Sequence, residues 1–176
     1  SSDRHDTGFD LWEIDLATRL SWRLSSLPGD ETEPTWSADG RHLAYIHHHD
    51  GHWSLMLRRH GQADRVLERS ATRLSSPAWR PDGSLITFLR HGADGLSIDM
   101  AILADPLLIR PLVTGEDFFI APVAWRGRQQ LLYTANGVIR TRSLNAWTSR
   151  NLPFRATVRR KEAGKPVRPA ARNLPR

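Results

Sequence analysis

Three tryptophan-centred segments recurring at intervals of 43 and 46 residues, Asp-Gly and Asn-Gly turns between β-rich runs, and the absence of any sustained helical pattern together predict an all-β fold. The predicted architecture is a partial β-propeller of four-stranded antiparallel blades, about three full blades and one half blade. The repeating segments are Pro34 to Tyr45, Pro77 to Phe88 and Pro122 to Tyr133, centred on Trp36, Trp79 and Trp125. A period in the range of about 40–50 residues is that of one propeller blade. Within the unit a short strand carries the tryptophan, a tight turn follows, and an apolar strand ends in an aromatic. Asp39-Gly40 and Asp82-Gly83 supply that turn, because Asp hydrogen-bonds its own backbone and Gly tolerates a left-handed conformation. In the third unit Arg126-Gly127 replaces Asp-Gly, so its turn is expected to be rebuilt.

The remaining elements follow from alternation and composition. Phe9 to Leu16 and Leu20 to Leu24 read as the third and fourth strands of a blade whose first two are missing, a half blade over 1–25. In the blade over 26–69, Trp53 to Arg58 and Arg65 to Glu68 are the third and fourth strands. Ser97 to Leu103 and Leu107 to Val113 take those places in the blade over 70–113. The blade over 114–154 continues through the Asn136-Gly137 hairpin signal into Val138 to Leu144, and closes with Ser149 to Phe154. Closed propellers usually need about 4–8 blades, since closure protects strand edges. The chain is therefore expected to be a piece of a longer propeller, or to self-associate through its open blade edges.

Charge is unevenly distributed. The whole chain carries 25 basic and 19 acidic residues, a formal charge of +6, yet residues 155–176 alone hold eight basic side chains and one acid, Glu162. That segment also contains Pro166, Pro169 and Pro175 with almost no apolar periodicity, and it reads as a basic linker or disordered tail. It has no aromatic residue on which a base could stack, which argues against a nucleic-acid partner. Without cysteine there is neither a disulfide framework nor a thiolate zinc site. The longest apolar run, Phe118 to Trp125, is 8 residues, far short of the roughly 20 that a spanning helix requires. Residues 1–6 hold no apolar signal-peptide segment.

The motifs Pro34-Thr35-Trp36-Ser37-Ala38-Asp39-Gly40 and Pro77-Ala78-Trp79-Arg80-Pro81-Asp82-Gly83 resemble the Pro-x-Trp-Ser-Pro-Asp-Gly turn of TolB-like, WD40-like (PD40) propeller repeats. The companion loop-and-strand motif of that family is similar to Ser2 through Trp12, with a divergent second copy at His48 to Trp53. The resemblance covers about residues 1 to 154. It implies a periplasmic or other extracytoplasmic interaction protein, or the non-catalytic propeller of a prolyl-oligopeptidase-like peptidase or a large amidohydrolase. The last blade, Leu132 to Leu144 and then Leu152 to Val158, looks like the end of the propeller in TolB-amidohydrolase fusions, whose metal-dependent catalytic domain follows. No catalytic residue of such a domain lies in this chain, and no cofactor is expected.

The densest chemistry-bearing cluster is His47-His48-His49-Asp50-Gly51-His52. On a strand His47 and His49 share a face, and with Asp50 or His52 they are candidate ligands for zinc, copper or nickel. The His-x-His pattern is also similar to the first metal motif of amidohydrolases, whose later histidines and aspartate are absent. An ordinary polar loop is the preferred reading, and no metal centre is expected. In an up-and-down blade, the turn between second and third strands emerges on the same face as the connection between blades. That face is the candidate binding surface, a protein partner or the remainder of a larger polypeptide being the expected occupant. It is predicted to display His47, His49, Asp50 and His52 with Asp30, Glu31, Glu33, Glu116 and Asp117. Asp39, Gly40, Asp82 and Gly83 are assigned to turns, and Trp36, Trp79 and Trp125 to packing between blades.

Overall fold

A computed structural model describes residues 8–155 and residue 157. The companion motif over Ser2 to Thr7 and the tail from residue 158 onward, with Ala156, lie outside the described residues. Strands β1 (Trp12–Ile14) and β2 (Ser21–Arg23) pair alone. The first full sheet holds β3 (Asp30–Trp36), β4 (His42–His49), β5 (His52–Arg59) and β6 (Arg65–Ser70). The second holds β7 (Leu74–Trp79), β8 (Leu85–Gly92), β9 (Gly95–Ile102) and β10 (Leu108–Val113). The third holds β11 (Ala124–Arg126), β12 (Gln130–Ala135), β13 (Val138–Ser143) and β14 (Ser149–Asn151). Every sheet runs in chain order with antiparallel neighbours, and no helix occurs among the described residues. The fold is an all-β partial propeller of three full blades and a half blade.

Turn chemistry sets where the strands reverse. Asn136 and Gly137 both adopt positive φ, 52° and 71°, which the two-residue hairpin between β12 and β13 requires. The Asp-Gly turns are built differently from a two-residue hairpin. Only the glycine is left-handed, Gly40 at 68° and Gly83 at 71°, while its amide donates to Ser37 O at 2.9 Å or Arg80 O at 2.9 Å. Each aspartate works as a side-chain cap: Asp39 accepts from Arg41 N at 3.1 Å, and Asp82 from Ser84 N at 3.2 Å. In the third blade Gly127, φ 62°, turns the chain without an aspartate.

The first strand of each of the first two full blades carries a proline, which has no N–H for the ladder. The register breaks there, between Thr32 and Thr35 and between Ser75 and Ala78. The residue before each proline, Glu33 or Ser76, takes a left-handed φ of 54° or 56°. The same device thus recurs one period apart. Past the break, Trp36 and Trp79 resume the ladder opposite Leu43 and Ile86.

In the first and second full blades the middle strands are apolar on both faces, because each of these blades is sandwiched between neighbours. Leu43, Ala44, Tyr45 and Ile46 are all fully buried in β4. Ala44, Ile46, Leu55 and Leu57 pack on Leu74, Trp79, Ile86, Phe88 and Ala101 at the joint between first and second blades. Leu85, Leu89, Ile98 and Met100 meet Phe118, Val123, Leu131 and Tyr133 at the next. A smaller cluster, Leu11, Leu43, Tyr45 and Met56 with Leu24 and Leu27, joins the half blade to the first full blade.

Polar stitches reinforce these joints. Trp79 Nε1 donates to Thr35 O at 2.9 Å across the first full joint. Arg90 in the second blade reaches Glu68 of the first and Asp99 of its own blade, each at 2.7 Å. Asp82 accepts from Arg80 and meets Arg128 of the third blade at 2.8 Å; bonding to Arg80 and then to Ser84 holds its carboxyl well below the ordinary carboxylate range. Trp36 occupies the same repeat position as Trp79 but is 46% exposed, against 8%. The sequence assigns it to packing between blades; among the described residues the half blade supplies only outer strands, and the indole is left half-exposed. Trp125 is partly buried with its Nε1 unbonded.

Trp79→Phe should keep the ring in the joint but leave Thr35 O without its donor, lowering unfolding stability by about 1–2 kcal/mol. Trp36→Phe should change it by no more than about 0.5 kcal/mol. Urea unfolding followed by far-ultraviolet circular dichroism measures both, and equal effects would contradict the asymmetry of the two joints.

Candidate functional site

The turns β4–β5, β8–β9 and β12–β13 and the linkers between blades emerge on one side of the molecule, as the up-and-down order dictates. At the β4–β5 turn Asp50 and Gly51 both have positive φ, 48° and 73°, and the turn presents His49, Asp50 and His52 to solvent. His49 Nε2 lies 3.2 Å from Asp50 Oδ2. His52 Nδ1 donates to Asp50 O at 3.0 Å, and His47 Nε2 donates to Pro28 O at 2.8 Å. The Pro28-Gly29 linker is drawn close against β4: a Cβ on Gly29, whose φ is 99°, would stand 2.3 Å from His48 O. Only glycine allows that approach.

His48 points to the opposite face of the sheet, with its ring stacked on Trp53 at 4.2 Å between centroids, and the Arg73 guanidinium caps Trp53 at 5.6 Å. Among the described residues no three His, Cys, Asp or Glu side chains are grouped to hold a metal ion. The His47 and His49 rings lie nearly parallel with centroids 6.1 Å apart.

The acids expected on this face divide by what they touch. Glu31 is not displayed: it is 1% exposed, inside the joint with the half blade, where Ser25 Oγ donates to one carboxylate oxygen and the other has no partner. Its position opposite His47 in the β3–β4 ladder turns it towards that joint. Glu33 accepts the amide of Ser76 in the next blade and sits 3.8 Å from Arg73, so it serves as a stitch. Glu116 pairs with Arg140 at 2.8 Å and accepts from Tyr133 Oη at 3.2 Å, fastening the linker to the third blade. Asp30 caps Phe9 N at 3.1 Å. Asp117 is exposed while its backbone is clamped by Asn136, N to Oδ1 at 2.9 Å and O to N at 2.8 Å.

A second feature lies at the inner strands. Pro34 and Trp36, Pro77 and Trp79, and Pro122 and Trp125 from three blades line one shared groove of about 780 Å³. Ile120 on its border is 51% exposed, and neighbouring Phe119 is 69% exposed. The sequence assigned these tryptophans to packing alone and passed over Ile120 and Phe119. The available signal was the recurrence of Pro-x-Trp on successive first strands, which a ring-like arrangement brings together.

His91 lies near the end of β8, beside the β8–β9 turn. Its Nε2 is 3.0 Å from Ser75 Oγ and its amide donates to Arg73 O at 2.9 Å. Burial, then the Arg73 charge, holds the imidazole below its ordinary 6.5.

No protein-family model matches the chain, and no curated protein matches it in sequence. Several solved structures share its fold. TolB from Acinetobacter baumannii superposes with a TM-score of 0.70 at 16% identity, covering 82% of this chain and 37% of that one. A puromycin-hydrolyzing peptidase of Mycobacterium tuberculosis gives 0.65 at 16% identity, over 83% of this chain and 27% of that one. An oligogalacturonate lyase, solved in complex with manganese, gives 0.63 at 18%, over 81% and 47%. The chain thus spans less than half the length of each, and what it shares with them is the TolB-like propeller fold.

The lowered imidazole of His91 ties stability to pH. An unfolded His91 protonates at a higher pH than the folded one, so its contribution is complete above about pH 6.5 and is lost as the pH falls through the lower folded value. Thermal melts between about pH 5 and 8 should show the midpoint dropping on the acid side, and His91→Gln should flatten that drop. An unaltered profile in His91→Gln would remove His91 as its source.

Proposed function

We propose that the chain is a non-catalytic propeller segment that works as an interaction or substrate-gating scaffold, receiving a protein partner or the remainder of a larger polypeptide. The observation that carries this reading is the inner groove, in which three stitched blades hold exposed apolar surface from Trp36 and Ile120 in a fixed arrangement. Contiguous apolar surface on a rigid frame is characteristic of contact sites. The likeness in fold to TolB supports the scaffold reading, and the resemblance of the repeat motifs supports an extracytoplasmic location. In this reading the units divide at 25/26, 69/70, 113/114 and 154/155, with the basic segment from 155 as a linker. Among the described residues no helix is long and apolar enough to cross a membrane.

Purified chain should turn over no ester, amide, peptide or glycoside substrate above the buffer rate. Turnover that disappears on substituting one named side chain, such as His47→Ala, would overturn the scaffold assignment.

A second reading is favoured by the likeness to the peptidase of Mycobacterium tuberculosis, of which the chain covers 27%. Here the chain is the propeller portion of a larger hydrolase, an amidohydrolase or a prolyl-oligopeptidase-like peptidase, with its catalytic domain elsewhere in the polypeptide. Genomic sequence on both sides should then encode further blade strands and an adjoining hydrolase domain. Stop codons close to both ends would dismiss it.

A further inference from the structure

The side of the first full blade that faces the half blade carries a pocket of about 290 Å³. Antiparallel register arranges its side chains in cross-strand rows, because directly opposed residues point to the same face. His49 stands opposite His52, His47 opposite Ser54 and then Arg69, and Tyr45 opposite Met56 and then Val66. Three imidazoles and a guanidinium therefore surround a floor of Met56 and Val66, completed by Leu27 from the β2–β3 linker. Val66 is 50% exposed, so the floor is open to solvent.

Two observations indicate what this pocket takes. The first is hydrogen bonding. His47 and His52 each spend one ring nitrogen on a backbone carbonyl, which leaves the other nitrogen open; once protonated, that nitrogen is a donor. Arg69 is held in the β5–β6 ladder by its backbone, while its side chain makes no hydrogen bond or ion pair among the described residues. The second is comparison with the next joint. One period of 43 residues on, Arg90 stands in the place of His47, Asp99 in that of Met56 and Glu68 in that of Ser25. There the cation is neutralised at 2.7 Å by both acids. At the half-blade joint both acids are replaced, an imidazole takes the place of the guanidinium, and Arg69 is added to the lining.

The other titratable groups on this face are few. Asp50, 81% exposed, touches His49, and Glu31 is buried against Ser25 on β3. Deeper in, Arg58 is neutralised by Asp64 at 2.8 Å, and Tyr45 donates to the same carboxylate at 2.8 Å. With neutral imidazoles Arg69 is offset by Asp50 and Glu31; with protonated imidazoles the pocket is positive. We propose that it binds a small organic anion with an apolar body, the anionic group held by Arg69 and the imidazoles and the body lying on Leu27, Met56 and Val66, more tightly as the imidazoles take up protons.

Isothermal titration of the whole chain with benzoate and with benzenesulfonate tests this, since neither probe changes its charge between about pH 6 and about pH 8. Saturable binding is expected at about pH 6, weakened about tenfold or more at about pH 8, with benzyl alcohol not binding at either. Arg69→Gln should weaken it about tenfold at about pH 6, and His47→Gln combined with His52→Gln should remove most of the pH dependence. Matching circular dichroism spectra for the exposed-site variants separate lost binding from lost structure. Absence of saturable binding at about pH 6, an affinity independent of pH, or an affinity unchanged by Arg69→Gln would each overturn the proposal.

Discussion

The joint between successive blades is the interaction on which the rest of this molecule depends. A single four-stranded antiparallel sheet has two faces, and in the first and second full blades the middle strands are apolar on both, so neither blade can bury its own surface. Trp79 filling the joint and bonding Thr35 O, beside the Glu68–Arg90–Asp99 cluster, makes the first and second blades one body. An ion cluster of this kind is a weak source of net stability, because removing charges from water offsets much of the attraction. Its stronger effect is on register: Arg90 meets both acids only when β6 and β8 are correctly aligned.

That same demand explains why the acid-rich face differs from a simple display of charge. Linkers between blades must be tied down, and a carboxylate accepting a backbone amide or pairing with an arginine does so economically. Glu33 and Glu116 are consumed in this way, and Glu31 disappears into the half-blade joint. What stays available are the histidines of the β4–β5 turn, Asp50, Asp117, and the apolar groove at the inner strands. At the half-blade joint a pocket remains beside the Arg69 guanidinium.

Much of the fold was legible in the chain because its signals are local. The interval between Trp36 and Trp79, the Asp-Gly and Asn-Gly turns, and the alternating apolar runs depend on a few consecutive residues and on backbone sterics. Third and fourth strands fell close to their expected places for the same reason. The candidate site was less legible. That Glu31 shares a face with His47, or that Arg69 joins His47 through Ser54, follows from cross-strand register, whose pairs here lie 7 to 16 positions apart.

The tryptophans show where the division lies. Sequence alone determined that Trp36 and Trp79 occupy the same place in the same repeat, behind the same proline and before the same Asp-Gly turn, because that geometry is carried by neighbouring residues. Only the tertiary structure decided that one is 8% exposed and bonded while the other is 46% exposed. Burial is a property of what stands opposite. Trp79 faces the inner strand of a complete blade, whereas Trp36 faces a half blade that supplies only outer strands.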